Sequence, residues 1–235
     1  MEQGEKTRLL SGVYLLDSLS PQEVDRLGTR MPEMHLERGQ ILYTPTHQSR
    51  ILFLLLKGRM RIYKVAEARE ITLSVVGAGE MFGEAALADK RGQRAYAQAT
   101  EPSEVVLMSH DVLYRLVLDK PEVGLRAVEL LSERLSFQED RMADIGLKEV
   151  PARLAGLILH LVQSEGLVTA EGYKIPTRYT HEQLGAMVCS KRVAVTRAFA
   201  KLQEAGALEL KHRYIYVRDT EVLELIAGRG QGGRR

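Results

Sequence analysis

The stretch Thr180-His181-Glu182-Gln183-Leu184-Gly185-Ala186-Met187-Val188-Cys189-Ser190-Lys191-Arg192-Val193-Ala194-Val195-Thr196-Arg197-Ala198-Phe199-Ala200-Lys201-Leu202-Gln203-Glu204-Ala205-Gly206 reads as two short helices around a tight turn. Thr180 and Gln183 have the spacing of a capping box, which opens a helix through Leu184, Met187 and Val188. Cys189-Ser190 breaks it, and Ser190 is placed to cap a second helix that runs from Lys191 to about Glu204 and stops at Gly206. Along that helix Val195, Ala198, Phe199 and Leu202 recur at the spacing of one buried face. The other face carries Arg192, Val193, Thr196, Arg197, Ala200 and Lys201, with no acid among them. Downstream, Leu208-Glu209-Leu210 and Tyr214-Ile215-Tyr216-Val217 alternate around Lys211-His212-Arg213, the pattern of a hairpin. Two helices, a tight turn and a hairpin make a winged helix-turn-helix.

Charge points the same way. The 235 residues carry a formal net charge of +2, but residues 1–148 hold 20 Lys/Arg against 22 Asp/Glu, and residues 149–235 hold 13 against 9. Seven basic residues fall within 190–218, opposed by Glu204 and Glu209 alone. A basic face in a near-neutral chain fits a polyanion, and double-stranded DNA is the partner that a helix-turn-helix meets. Arg192 and Arg197 can each pair with guanine O6 and N7, while Val193 offers only apolar contact, as to a thymine methyl. Thr180, His181, Lys191, Lys201, Lys211 and Arg213 are candidates for the phosphates.

Upstream, residues 121–146 keep Val128, Leu131, Leu135, Gln138, Met142 and Ile145 at alternating spacings of 3 and 4. That is a seam of nearly three heptads, narrow enough to favour a second helix over a domain face, and a two-fold homodimer is the simplest source of one. Further upstream, short strand-like runs at Gln40–Tyr43, Ile51–Leu56 (apolar throughout), Met60–Val65 and Ile71–Val75 (both alternating) and Glu104–Met108, with glycine at the turns, read as an all-β barrel or sandwich. Ser20-Pro21-Gln22-Glu23 opens a short capped helix before them.

Composition narrows the class. No run approaches the roughly 20 apolar residues of a membrane span, and the first twelve residues lack an apolar signal core. The single Cys189 leaves no internal disulfide and no multi-cysteine metal or iron–sulfur site, so a reducing cytoplasm is the expected setting. No nucleophile–base motif, Gly-Lys-Ser/Thr phosphate loop or metal spacing is present, so an enzyme is not expected. Glu80 and Glu84 lie four apart, but Phe82-Gly83 between them suits a turn better than a catalytic pair.

From about residue 36 to 218 the chain resembles the cyclic-AMP receptor protein and fumarate–nitrate regulator family. The likeness rests on Gly39, Gly58, Gly79-Glu80, Phe82-Gly83-Glu84 and Arg94-Ala95, and on Ser190 to Arg197. Its helix-turn-helix is most similar to that of the NtcA-like nitrogen-control members. The resemblance implies an α+β protein: an N-terminal β-roll (a double-stranded β-helix of the cyclic-nucleotide-binding kind), a long dimerisation helix and a C-terminal winged helix-turn-helix. The expected layout is a sensor over 1–118, the dimer helix over 119–147, the DNA-binding domain over 148–225 and an unstructured tail over 226–235. The implied function is an activating transcription regulator that binds a palindromic promoter as a homodimer and touches RNA polymerase. Residues 47–50 and 163–176 are loops of the kind relatives use for that contact.

The resemblance leaves three effector readings open. In the cyclic-AMP reading, Gly83 and Glu84 meet the ribose, Arg94-Ala95 the phosphate, and Gln138 and Glu139 stand where relatives reach the base. In the 2-oxoglutarate-like organic-acid reading, Phe82-Gly83, Arg94, Arg134 and Glu139 form the pocket, with Glu84 as an unfavourable acid. In the third, no effector binds and Glu84 serves the fold.

Overall fold

A computed structural model describes residues 3–46, 50–67, 69–84 and 92–228. The chain opens with α1 (Gln3–Leu10) and α2 (Pro21–Gly28). The start of α2 is the capping box its sequence predicts: Ser20 accepts from the Glu23 amide and the Glu23 carboxylate accepts from the Ser20 amide at 2.8 Å. Eight strands follow: β1 (Glu33–Leu36), β2 (Ile41–Tyr43), β3 (Ile51–Lys57), β4 (Met60–Ala66), β5 (Arg69–Val76), β6 (Met81–Phe82), β7 (Tyr96–Ala99) and β8 (Ser103–Ser109). They form two antiparallel four-stranded sheets, in the orders β1-β8-β3-β6 and β2-β7-β4-β5.

β3 explains why one stretch reads as uniformly apolar rather than alternating. Phe53 and Leu55 face the core between the sheets, whereas Leu52, Leu54 and Leu56 face a second core beneath α1 and α2. Both faces of the strand are therefore buried, which is the condition for a continuous apolar run. Gly58 and Gly83 are needed where they stand. Each has a positive φ, and a Cβ on Gly58 would overlap Ser103 and the Pro102 carbonyl. A Cβ on Gly83 would sit 2.7 Å from the Phe53 ring. Glu80 closes the preceding turn by accepting from the Gly77 amide, so it is a turn staple.

α3 (His110–Asp119) leads into α4 (Pro121–Leu147). The chain divides into two compact units, Met1–Ser136 and Phe137–Arg235, and α4 belongs to both. One stripe of α4, Val123, Ala127 and Leu130, packs into the apolar core of the first unit. The stripe on the other side is exposed: Leu125 66%, Val128 61%, Leu131 40%, Leu135 60%, Met142 70% and Ile145 44%.

The second unit adds α5 (Val150–Glu165), β9 (Leu167–Thr169), β10 (Gly172–Ile175), α6 (His181–Met187), α7 (Arg192–Glu204), β11 (Leu208–Lys211), β12 (Tyr214–Val217) and α8 (Thr220–Ile226). Its antiparallel sheet runs β11-β12-β10-β9. Residues 163–176, expected as a loop, are instead the end of α5 and the β9–β10 hairpin, because Leu167–Thr169 pairs in register with Gly172–Lys174. Residues 47–49 of the other loop and 229–235 of the expected tail lie outside the described residues. No helix among the described residues is long and apolar enough to cross a membrane.

Candidate DNA interface and effector site

α6 and α7 pack on each other around the expected buried stripe: Val195 and Leu202 are 0% exposed, Ala198 and Phe199 2%. Thr180 caps α6 and accepts from the Gln183 amide at 3.1 Å, while Gln183 accepts from the Thr180 amide at 2.8 Å. Among the described residues no acceptor takes the Thr180 hydroxyl proton. At the start of α7 the structure corrects the sequence. Lys191, not Ser190, is the N-cap, and no side chain caps the helix. Ser190 uses its amide to close the turn onto the Gly185 carbonyl at 2.8 Å. Cys189 makes that turn with a φ of +52°.

The predicted outward face of α7 is outward. Lys191, Arg192, Val193, Thr196, Arg197, Ala200 and Lys201 are all exposed, and Val193 shows 62% of its surface. Among the described residues none of its four cations is in an ion pair with a carboxylate. Thr196 is more constrained than its sequence position implies: its hydroxyl lies 2.9 Å from His181 Nδ1 and donates to the Arg192 carbonyl at 3.0 Å. The His181 ring also packs on Phe199, 5.2 Å between centroids. Burial first, and then the Arg192 charge, hold the His181 imidazole below its ordinary value.

The wing separates its cations. Lys211 lies 3.3 Å from Glu209 and 3.7 Å from Glu171, so its charge is locally compensated. Arg218 bonds Glu209 at 2.7 Å and also pairs with Glu171. His212 and Arg213 at the tip are exposed, with φ of +52° and +69°. Sequence reasoning missed a neighbouring group. Lys174 and Arg178 both sit against the Tyr214 ring, at 4.1 and 4.5 Å, just upstream of Thr180. Both lie before the basic window at 190–218, and an aromatic flanked by scattered cations leaves no periodic trace. Arg141 on α4 was missed too: it donates to the Met187 carbonyl at 2.6 Å, tying the end of α4 to the end of α6.

In the first unit, Arg134 of α4 meets Glu84 after β6. Its Nη1 is 2.7 Å from Glu84 Oε1 and its Nη2 donates to the Met81 carbonyl at 2.8 Å. Glu84, the unfavourable acid of the organic-acid reading, is thus a part-exposed carboxylate paired with a guanidinium. Tyr43 lies close by. It is 4% exposed and stacks on Phe53 and Phe82. Burial pushes its phenol up, the Glu84 charge adds to this, and Arg134 opposes it. Gln93, 3% exposed, bridges the Gly83 and Ile51 carbonyls. Phe82 and Gly83 are accounted for by this packing alone. Arg94 is exposed and Ala95 is buried at 8%. Gln138 and Glu139 lie further along α4, in the second unit.

Comparison with known proteins matches this architecture. A cyclic nucleotide-binding domain model fits residues 33–120 and a Crp-like helix-turn-helix model fits residues 152–226. A CRP-like cAMP-activated global transcriptional regulator of Mycobacterium tuberculosis is 24% identical, over 92% of this chain and 96% of its own length. A global nitrogen regulator of Synechocystis is 26% identical over 84% of this chain and 91% of its own. Among solved structures, a CooA mutant from Carboxydothermus hydrogenoformans superposes with a TM-score of 0.79 at 24% identity, covering 94% of this chain and 99% of that one. With both domain models matched in this order over about two thirds of its length, the chain belongs to the cyclic-AMP receptor protein and fumarate–nitrate regulator family of transcription regulators, built on a helix-turn-helix DNA-binding domain.

Proposed function

We propose that the protein is a homodimer that reads a two-fold DNA site with α7 and answers to a small anionic effector at Glu84 and Arg94. The observation that carries the DNA part is the acid-free outer face of α7, where an exposed Val193 stands between two arginines that have no ion pair among the described residues. An apolar side chain left that open has a use against a thymine methyl, and the flanking guanidiniums suit guanines. Thr180, Lys191, Lys201 and Arg213 then serve the backbone on either side. The dimer part is supported by the outer stripe of α4. Each large aliphatic residue there would gain about 1.5–3 kcal/mol if fully covered, and a second α4 is shaped to cover it.

For the effector, the surroundings of Arg134 support one chemistry over the other. It is spent on Glu84 and on the Met81 carbonyl, so it is not free for a dicarboxylate. Glu84 keeps acceptor capacity for a ribose hydroxyl, and in the family reading Arg94 meets the phosphate, which favours a cyclic nucleotide such as cyclic AMP. The Arg134–Glu84 bond also supports a second reading, regulation without effector, because it joins α4 to the β-roll by itself. Activation through RNA polymerase follows the same family reading, and no catalytic role is assigned. The test is selection of sites from random DNA by the full chain, then titration of cyclic AMP and 2-oxoglutarate on the best duplex. A two-fold site is expected, with half-sites about one helical turn (roughly 34 Å) apart. Cyclic AMP should tighten binding about 5- to 150-fold, and 2-oxoglutarate should not. A site lacking two-fold symmetry refutes the dimeric reader; equal affinity with every ligand assigns the chain to the effector-free reading.

A further inference from the structure

We propose that binding DNA makes this chain take up a proton at His181, whose Nε2 then donates to a backbone phosphate while its Nδ1 stays bonded to Thr196. This rests on the DNA-reading role given above to α7.

Thr196 has one hydroxyl proton, and it goes to the Arg192 carbonyl at 3.0 Å. The 2.9 Å contact with His181 therefore needs Nδ1 to be the donor. The opposite arrangement, with the hydroxyl donating to Nδ1, would make one hydrogen bond where this one makes two. A neutral His181 then carries its proton on Nδ1 and a bare lone pair on Nε2. Among the described residues, Nε2 has no partner, and the ring is partly exposed. It borders the face of α7 that holds Arg192 and Arg197, so DNA seated on that face brings phosphates to the edge of the ring.

A lone pair facing a phosphate is repulsive, whereas an N–H donor is attractive. The contact forms only when a solvent proton is added to Nε2, making an imidazolium with both nitrogens donating. In the free protein the ring resists that proton because of burial and the Arg192 charge. The charged groups near it are Arg192 on the facing α7 and Glu182 beside it in the chain; Thr196 and Phe199 complete its contacts. A phosphate supplies the missing negative charge and raises the imidazole in the complex. The added affinity is present in full below the free-state value and is lost as pH climbs through the higher, bound-state value.

The same pairing reassigns Thr196. With its proton and a lone pair both committed, it is a strut holding the His181 phosphate contact to the reading helix, and it does not address a base.

The experiment follows binding of the full chain to a fluorescent duplex carrying the selected site, at fixed ionic strength, from about pH 5.5 to 8.5. Affinity is expected to fall with rising pH by up to about tenfold per unit for each half-site occupied. His181→Asn keeps an amide donor near the Nδ1 position for Thr196 but has no Nε2, so it should lose this slope and bind weakly throughout. His181→Arg, a permanent cation, should bind without the slope and hold its affinity at high pH. His212 at the wing tip is retained in both variants, so the difference from the unmodified chain isolates His181. An unmodified chain with a flat profile, or an unchanged slope in either folded variant, overturns the inference. If the unmodified chain binds no duplex at any pH, the DNA-reading role itself fails instead. Should His181→Asn not fold, His181→Arg carries the test alone.

Discussion

Arg197 and Arg218 are 21 positions apart and alike in type, yet they have opposite surroundings. Arg197 is exposed on α7 with no carboxylate in an ion pair with it among the described residues, while Arg218 is held by Glu209 and Glu171. Arg197→Ala should cost about 1–3 kcal/mol on the selected duplex, roughly 5- to 150-fold, with little change on unrelated DNA. Arg218→Ala should leave duplex affinity within about twofold, because an exposed ion-pair network contributes little beyond local order. Fluorescence anisotropy on both duplexes checks the contrast; equal losses for the two would mean that compensation by acids does not select the contacting cations. Helical spacing made the outer face of α7 legible, since four buried residues fix which side turns out. It could not separate free cations from spent ones, because Glu171 reaches Arg218 across 47 positions. Nor could it find the Arg134–Glu84 pair, where residues 50 positions apart meet.

The elements were legible where their own chemistry dominates. The capping boxes at Ser20 and Thr180 and the burial of both faces of β3 follow from local pattern. β1, β6 and β7 are too short to build a period, and Tyr96–Ala99 alternates mostly with small residues. α1, α3 and α8 were not anticipated either; α1 and α3 gain their order by packing on the first unit's apolar core. The wing turn has a cost that its sequence announces. His212 and Arg213 both take positive φ between paired strands, a geometry that Asn-Gly adopts without strain. The double change His212→Asn with Arg213→Gly should raise stability by about 1–3 kcal/mol, seen as a higher melting temperature, while weakening DNA binding through loss of Arg213. A stabler protein with unchanged affinity would remove the wing tip from the interface.

At the scale of the whole molecule, α4 carries two stripes with different work. The inner one, Val123, Ala127 and Leu130, continues to Arg134 one turn on and is satisfied within the chain. The outer one was the seam legible in the sequence, and Leu125 extends it by a turn. Val128→Glu with Leu135→Glu should leave a folded monomer by light scattering. It should also lower operator affinity about a hundredfold or more, since each half-site is then held alone. A dimer that survives both charges would place the partner surface elsewhere. The composition of α7 bears on the genome as well. On the proposed DNA-reading role, with Thr196 committed to His181, the helix's readable alphabet contracts to two arginines and a valine. Three base pairs per half-site, six in all, recur by chance about once in 4,000 base pairs, on the order of a thousand times in a few million. So short a code needs a second source of discrimination, and the ease with which different sequences bend supplies one. The bases between the half-sites, touched by no side chain, then become part of the operator's address.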